Sequence, residues 1–432
     1  MKMANMDDYF DVVIVGTGAA GLYCALNLPA RYRILLLTKQ KADESDSFLA
    51  QGGICMQHGE ADYRPFFDDT MRAGHYENNP ATVDLMIRSS NSIIRDLVRR
   101  GVRFACDDHG ALRFTREGAH SRPRILFHED ITGHEITQTL LNEVLRCENI
   151  ELREHTTLLD FFADTSACGG VIAAGPDGEP RAIGAGAVVL ACGGIGGLYK
   201  NSTNFPHITG DAIAMALRHG VACEHLDYIQ IHPTTLYSHR KGRRFLISES
   251  VRGEGALLLD KNGNRFTNEL QPRDVVSAAI RAQMEKDGTD HVWEDMRPIG
   301  EAAIREHFPN ILERCEEEGY DPIHEPIPVV PAQHYFMGGI TADLSSRTAL
   351  PRLYACGETC CNGVHGRNRL ASNSLLESLV FAQRAADDIL YGEPPVFTGD
   401  KPDLAPYREQ EPLFAAYRQE VLTAIERSKN HE

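Results

Sequence analysis

No uninterrupted apolar run in this 432-residue chain reaches the roughly 20 residues that a helix needs to cross a hydrocarbon core. The start, MKMANMDDYFDVV, has neither the basic n-region nor the apolar h-region of a secretory signal, so the expected location is the cytoplasm. Basic residues are in deficit. Lys and Arg number 44 against 61 Asp and Glu, a net charge of −17. Such a field repels phosphate backbones and anionic lipid, which argues against nucleic acid or a membrane surface as partner. The eleven cysteines, an odd number running from Cys24 to Cys361, contain no CxxC pair and no histidine-rich partner spacing. Zinc is excluded on that ground, and no metal is expected. The closest group, Cys356, Cys360 and Cys361, lacks the four thiolates of an iron–sulfur site, so the cysteines read as reduced and mostly buried.

What is present begins with DVVIVGTGAAGLYCALNL, residues 11–28. A β-branched run, Val12 to Val15, leads into Gly16, Gly18 and Gly21 at GxGxxG spacing, and Leu22, Ala25 and Leu26 then repeat with helical period. Gly16 permits the tight turn, Gly18 lets a pyrophosphate approach the backbone, and Gly21 lets the helix pack on the strand with its N-terminus toward the phosphates. A second strand, RILLLTK, follows, but it ends on Thr38 and Lys39 where an acidic residue would bind the ribose hydroxyls. The fingerprint therefore predicts a dinucleotide without naming it. A buried strand at 187–191 runs into the glycine-rich turn 193–197, and PRLYACGETC supplies a strand that turns at Gly357 and Glu358. Strands of this kind at both extremes of the chain predict one nucleotide domain assembled from both ends, with an insertion between them.

The inserted part carries HPTTLY, ESVRGEGALLLDKNGNRF and PRDVVSAAI. Asn262 and Gly263 read as a two-residue hairpin turn, and DVVSAAIRAQM as a helix, which makes a mixed α+β insert over roughly 226–334. After Tyr391 comes a Pro-rich stretch, GEPPVFTGDKPDLAP, and then one amphipathic helix at 413–427. Length and composition agree with two domains, or with one large discontinuous one. Near the end, HGRNRLASNSLL (365–376) sets two arginines, two asparagines and two serines before a helical apolar run. Ordinary capping explains part of that pattern, and a polar or anionic ligand at the helix entrance explains the rest.

Several ordered motifs together, GTGAAGL, AQGGI, TREGAHSRPR, HEDITGHEITQTL, GGIGGLYKNSTN, TGDAIAMA, IHPTTLY, RGEGALLLDKNGNRF, PRDVVSAAI, AQHYFMGGI and HGRNRLASNSLLESLVFA, carry a resemblance. Over residues 9 to about 393 the chain resembles the succinate dehydrogenase, fumarate reductase and L-aspartate oxidase superfamily of FAD proteins, and most closely its L-aspartate oxidase family. The resemblance implies an α/β fold: a Rossmann-type FAD-binding domain (9–225 and 335–393) with an inserted α+β capping domain (226–334), followed by the linker and single helix of 394–432. That ending stops about one helical bundle short of the family's usual pattern.

The implied flavin contacts are Gly16, Thr17, Gly18, Ala19, Ala20, Lys39, Ser47, Gln51, Gly52, Gly53, Asp211, Glu358, Ser374 and Leu375. The resemblance also implies that Arg273, Arg369, His232 and His334 hold the carboxylates of a dicarboxylate substrate and that Glu117 faces its α-ammonium. Taken singly, Arg273 reads as an exposed first-turn residue, His334 as a core histidine and Glu117 as a surface carboxylate beside Arg116. As a set they suit the chemistry, because each buried carboxylate needs several charge-assisted donors.

The implied reaction is oxidation of L-aspartate to iminoaspartate by hydride transfer from the α carbon to flavin N5, the first step of NAD biosynthesis through quinolinate, with functional coupling to quinolinate synthase. No histidine lies between residues 40 and 57, so the covalent flavin linkage of many succinate dehydrogenases is not expected and FAD should be held non-covalently. Oxygen and fumarate both stand as electron acceptors. The alternatives are a soluble fumarate reductase or succinate dehydrogenase-like flavoprotein, and a dicarboxylate-binding flavoprotein without turnover.

Overall fold

The computed structural model describes residues 8–240 and 242–429; residues 1–7, on which part of the reading of location rests, lie outside them. Val12 to Val15 are buried on both faces of the strand Tyr9–Val15, as a central parallel strand requires. It pairs in parallel with Ile34–Leu37 on one side and with Pro180–Leu190 on the other, Val12 lying opposite both Ile34 and Ala187. Ile150–Arg153 extends the sheet beyond Ile34–Leu37. The far edge of the long strand Pro180–Leu190 is shared. Its first half pairs antiparallel with Cys168–Ala174, and its second half pairs in parallel with Leu353–Ala355. Both ends of the chain therefore meet in one sheet.

Backbone bonds tie the C-terminal ends of these strands together: Gly16 N–H donates to Leu37 at 2.8 Å, Ala191 to Val15 at 2.8 Å and Cys356 to Leu190 at 3.1 Å. The crevice beyond those ends is where open α/β sheets hold ligands. One face of the sheet is covered by the helix Ala19–Asn27 and by Asn373–Tyr391, which buries Leu375, Leu376, Leu379, Val380 and Phe381. Each such side chain contributes about 1.5–3 kcal/mol by leaving water. The other face is covered by Asp211–Arg218 and by the last helix, Gln410–Lys429, a few residues longer at each end than its apolar pattern predicts, through Tyr417, Val421 and Ile425. The Pro-rich stretch before that helix is docked. Phe397 is buried against Phe162, and Thr398 N–H donates to Asp164 at 2.7 Å.

A second, antiparallel sheet is formed by Ile229–Leu236, Ile327–Phe336, Val292–Asp295 and Leu257–Leu259, with the helix Arg273–Asp287 packed on it. Its central pair is irregular. Gln230 faces Tyr335 and Ile231 faces Gln333, so His334 is an extra residue without a partner, and a second shift follows His232. Pro233 and Pro331, which donate no ladder bond, both lie at the second interruption. Bulges of this kind re-aim side chains. Here the rings of His232 and His334 come 5.1 Å apart.

The expected two-residue turn at Asn262 and Gly263 is corrected. Asp260 N–H bonds to Asn264 at 2.9 Å and Leu259 bridges to Arg265, so the loop has three residues, Lys261 to Gly263. The Asp260 carboxylate accepts the Asn262 and Asn264 N–H groups at 2.8 Å, and Gly263 takes φ 80°, the left-handed position of a three-residue hairpin. All eleven cysteines are free, and seven of them are buried. Among the described residues no helix is long and apolar enough to cross a membrane.

Candidate active site

A single cleft of about 1700 Å³, counting space open to solvent, runs from the fingerprint turn to the second sheet. Every expected flavin residue lines it except Ala19, which lies just behind, its N–H donating to Ser47 Oγ at 3.0 Å. The glycines have steric causes. A Cβ on Gly16 would fall 2.0 Å from the Ala191 carbonyl, and one on Gly21 would fall 1.9 Å from the Gly16 carbonyl. The helix Ala19–Asn27 starts at Gly18, which offers no side-chain cap; the Ala19 N–H goes to Ser47, and the N–H groups that follow it in the first turn face an anion.

Lys39 replaces the usual acid at the end of the second strand and is itself tied down. Its ammonium pairs with Asp211 at 2.6 Å and donates to the His207 carbonyl at 3.1 Å. Ser45 Oγ, Asp46 Oδ2 and Gln51 Oε1 are buried beside the cleft without partners among the described residues. Burial holds the Asp46 carboxyl up at about 7, and burial, then Asp46, raises that of Glu358 well above the usual range. A glycine-walled groove with a helix N-terminus at one end and unpartnered buried polar atoms beside it fits an extended dinucleotide such as FAD.

At the far end of the cleft the structure gathers all five expected substrate residues, Glu117, His232, Arg273, His334 and Arg369. Arg369 is 4 % exposed and forms no ion pair among the described residues. It donates to Ser374 Oγ at 2.9 Å and lies over the Tyr335 ring at 4.4 Å, while its Nε has no partner. Burial, and then Arg273, lowers its guanidinium to about 10. A buried cation without a counter-ion is costly, and an anionic ligand removes that cost.

Arg273, at the first turn of its helix, is buried and not a surface residue. Its Nε meets Glu249 at 2.5 Å and its Nη1 donates to Gln230 Oε1 at 2.9 Å. Gln230 in turn donates to the Arg369 carbonyl at 2.8 Å, so one side chain spans both arginines. Burial works against ionisation of Glu249, but Arg273 and Arg252 outweigh it and hold the carboxyl below its usual range.

The two histidines depart from expectation in charge. Burial, then Arg273, pushes both well below the usual imidazole range, so in the ligand-free site the histidines are neutral and the positive charge belongs to the arginines. His232 Nδ1 lies 2.9 Å from the Thr234 carbonyl and 3.2 Å from the Thr234 N–H, and its Nε2 is buried without a partner. His334 Nδ1 is 2.8 Å from Thr203 Oγ1.

Glu117 is likewise no surface carboxylate. It is 3 % exposed and accepts from Ser250 Oγ at 2.9 Å and from Ser372 Oγ at 2.6 Å. Burial, then the like charge of Glu249, raises its carboxyl. The site thus holds two buried acids in opposite circumstances, Glu249 between arginines and Glu117 between hydroxyls. Sequence reasoning passes over Glu249, Gln230, Ser250 and Ser372. The i,i+3 spacing of Glu249 and Arg252 in ESVRGEG is a local hint of the first, whereas the others depend on contacts between distant segments.

Residues 11–375 match the family model described as FAD binding domain. An L-aspartate oxidase of Clostridium perfringens is 48% identical over 380 residues, covering 88% of this chain and 86% of the relative. One from a Nostoc species is 44% identical over 442 residues, covering 98% of this chain and 76% of the relative. Among solved structures, an Escherichia coli quinol fumarate reductase superposes with a TM-score of 0.83 at 31% identity, over 95% of this chain and 74% of the other.

Proposed function

The chain belongs to the L-aspartate oxidase family of FAD-binding flavoproteins, and from that premise we propose how its own residues perform the family's reaction. The protein oxidises L-aspartate to iminoaspartate, the first step of NAD biosynthesis. FAD, when bound, supplies the acceptor for the hydride that leaves the substrate's α carbon. Gly16 to Ala20, Ser47 and the loop 51–53 hold it along the crevice, and Lys39 with Asp211, Glu358 and the entrance at Ser374 and Leu375 complete its site.

Arg369 and Arg273 carry the charge that binds the two substrate carboxylates, and His232 and His334 add neutral hydrogen bonds. Two nitrogens of Arg273 are already committed to Glu249 and Gln230, which fixes the plane of the guanidinium and leaves Nη2 for the ligand. A guanidinium stays protonated through the accessible range, so Arg273 acts by charge and orientation. Glu117 receives the α-ammonium, the one group by which L-aspartate differs from succinate; that group gives up one proton before the hydride leaves, because the imine forms from the nitrogen lone pair. In a dry site that cation needs a carboxylate partner.

The same proposal includes the division into a discontinuous flavin domain (9–225 and 335–393), a capping domain (226–334) and the tail 394–432. It also includes non-covalent FAD, a cytoplasmic location, oxygen or fumarate as acceptor, and delivery of the product to quinolinate synthase. What carries the reading is Arg369, a buried cation with no counter-ion among the described residues, at the end of a groove shaped for a dinucleotide. The test is anaerobic. L-aspartate should bleach the flavin absorbance and succinate should not; bleaching by succinate alone would move the protein to the dehydrogenase reading, and bleaching by neither would make it a binding protein.

A further inference from the structure

We propose that Ser250 and Ser372 are positioning residues that hold Glu117 as an oriented carboxylate and thereby set the preference for an amino dicarboxylate over a plain one. This rests on the reading of Glu117 as the partner of the α-ammonium. Each carboxylate oxygen takes one hydroxyl, Oε1 from Ser250 and Oε2 from Ser372. Hydroxyls orient a carboxylate and stabilise its charge without cancelling it. An arginine or lysine in their place would satisfy Glu117 and leave nothing for an ammonium, which is the condition of Glu249 beside Arg273 and Arg252.

The direction of the Ser372 hydroxyl is fixed by its surroundings. Its oxygen accepts the Gly53 N–H at 3.2 Å, so its own proton is free to go to Glu117, and its carbonyl accepts the Cys55 N–H at 3.0 Å. Ser372 adopts φ 60°, a left-handed conformation that a non-glycine residue keeps only when its neighbours enforce it. The enforcement is visible one residue earlier. The Ala371 carbonyl accepts His120 Nε2–H at 3.0 Å, and His120 Nδ1 accepts from Arg124 at 2.9 Å. Arg124 is wholly buried and pairs with Asp62 at 3.0 Å and Asp69 at 2.8 Å. Ser250 approaches from the inserted region, on the short helix Glu249–Gly253 that also carries Glu249. Backbone also comes close on one side, since a Cβ on Gly52 would fall 2.4 Å from Glu117 Oε1, while Glu117 still lines the cleft. Burial and Glu249 both favour the protonated acid, and the Ser372 hydroxyl, the charge of Arg273 and the Ser250 hydroxyl oppose them.

The test uses the FAD-loaded full chain with Ser250→Ala, Ser372→Gly and the double variant; glycine at 372 accepts φ 60° without strain. FAD content, read from flavin absorbance, reports whether each variant is intact. Losing hydrogen bonds to a charged group should raise KM for L-aspartate by about ten- to a hundredfold in the double variant, with kcat changed less. Succinate should bind as well or better, and the acid limb of the kcat/KM profile should move to higher pH. KM for aspartate and Kd for succinate rising together, or an unmoved pH profile, overturns the proposal. Glu117→Gln run alongside separates the two readings. If it shifts the aspartate-to-succinate ratio while the serine variants do not, the serine assignment alone fails. If it leaves the ratio unchanged, the role of Glu117 fails and takes this proposal with it.

Discussion

Replacing Arg369 by leucine should weaken carboxylate binding and, at the same time, make the ligand-free holoenzyme harder to unfold. The guanidinium is 4 % exposed, has no counter-ion among the described residues, and is lowered by burial, then by Arg273, to about 10 from an ordinary 12.5. At about 1.4 kcal/mol per pH unit, the folded protein carries a penalty of about 3 kcal/mol for keeping this cation. Because the folded value lies below the unfolded one, the penalty is present in full at neutral pH and is relieved only as pH rises through the folded value. Leucine removes the penalty but also the bond to Ser374 and the contact with Tyr335, together worth about 1–2 kcal/mol. The net gain is about 1–2 kcal/mol, a rise of a few degrees in Tm. Succinate binding should fall by about 2–5 kcal/mol, roughly thirty- to several-thousand-fold in Kd. Thermal unfolding and a succinate titration followed by flavin absorbance read both signs in one preparation. A Kd within threefold of the unaltered enzyme, or a Tm several degrees lower at normal FAD content, would refute the reasoning.

Glu117→Gln keeps the size of the side chain and removes its charge, so affinity for L-aspartate should fall by roughly ten- to a thousandfold while succinate binds as well or better, read by paired flavin titrations. The raised carboxyl of Glu117 also gives succinate binding a sign in pH: the protonated acid tolerates the dianion, so affinity should be full below the pKa of Glu117 and be lost as pH rises through it. A succinate Kd independent of pH would contradict that assignment. Acid precipitation should release all yellow colour to the supernatant, and colour kept by the washed pellet would establish a covalent flavin.

The fingerprint end of the proposed flavin site is legible in the chain because its causes are local. A β-branched strand, a turn that only glycine can make and a helix that must approach closely fall within a dozen residues, and each leaves its mark on residue type. The substrate end is legible only in part. Arg369 and Glu117 stand out by their motifs, but burial, which pushes His232, His334 and Arg369 down, arises only when the two sheets come together. Glu249 and Arg273 are 24 positions apart, and Ser372 and Glu117 are 255, so no periodicity announces those pairs. The bulge that re-aims His334 is a mismatch between two strands and belongs to neither alone. The hairpin departs from its sequence signal for a smaller reason: Asn-Gly signals a two-residue turn, yet the Asp260 carboxylate captures two N–H groups and stabilises a loop one residue longer.

The central claim is that this cleft takes hydride from the α carbon of L-aspartate. Rapid anaerobic mixing of the FAD-loaded enzyme with L-aspartate, unlabelled or deuterated at the α carbon, isolates that step from reoxidation. The account predicts bleaching of the flavin at a rate slowed by α-deuterium and not by β-deuterium. Bleaching slowed by β-deuterium, or none with L-aspartate while succinate reduces the flavin, would contradict it.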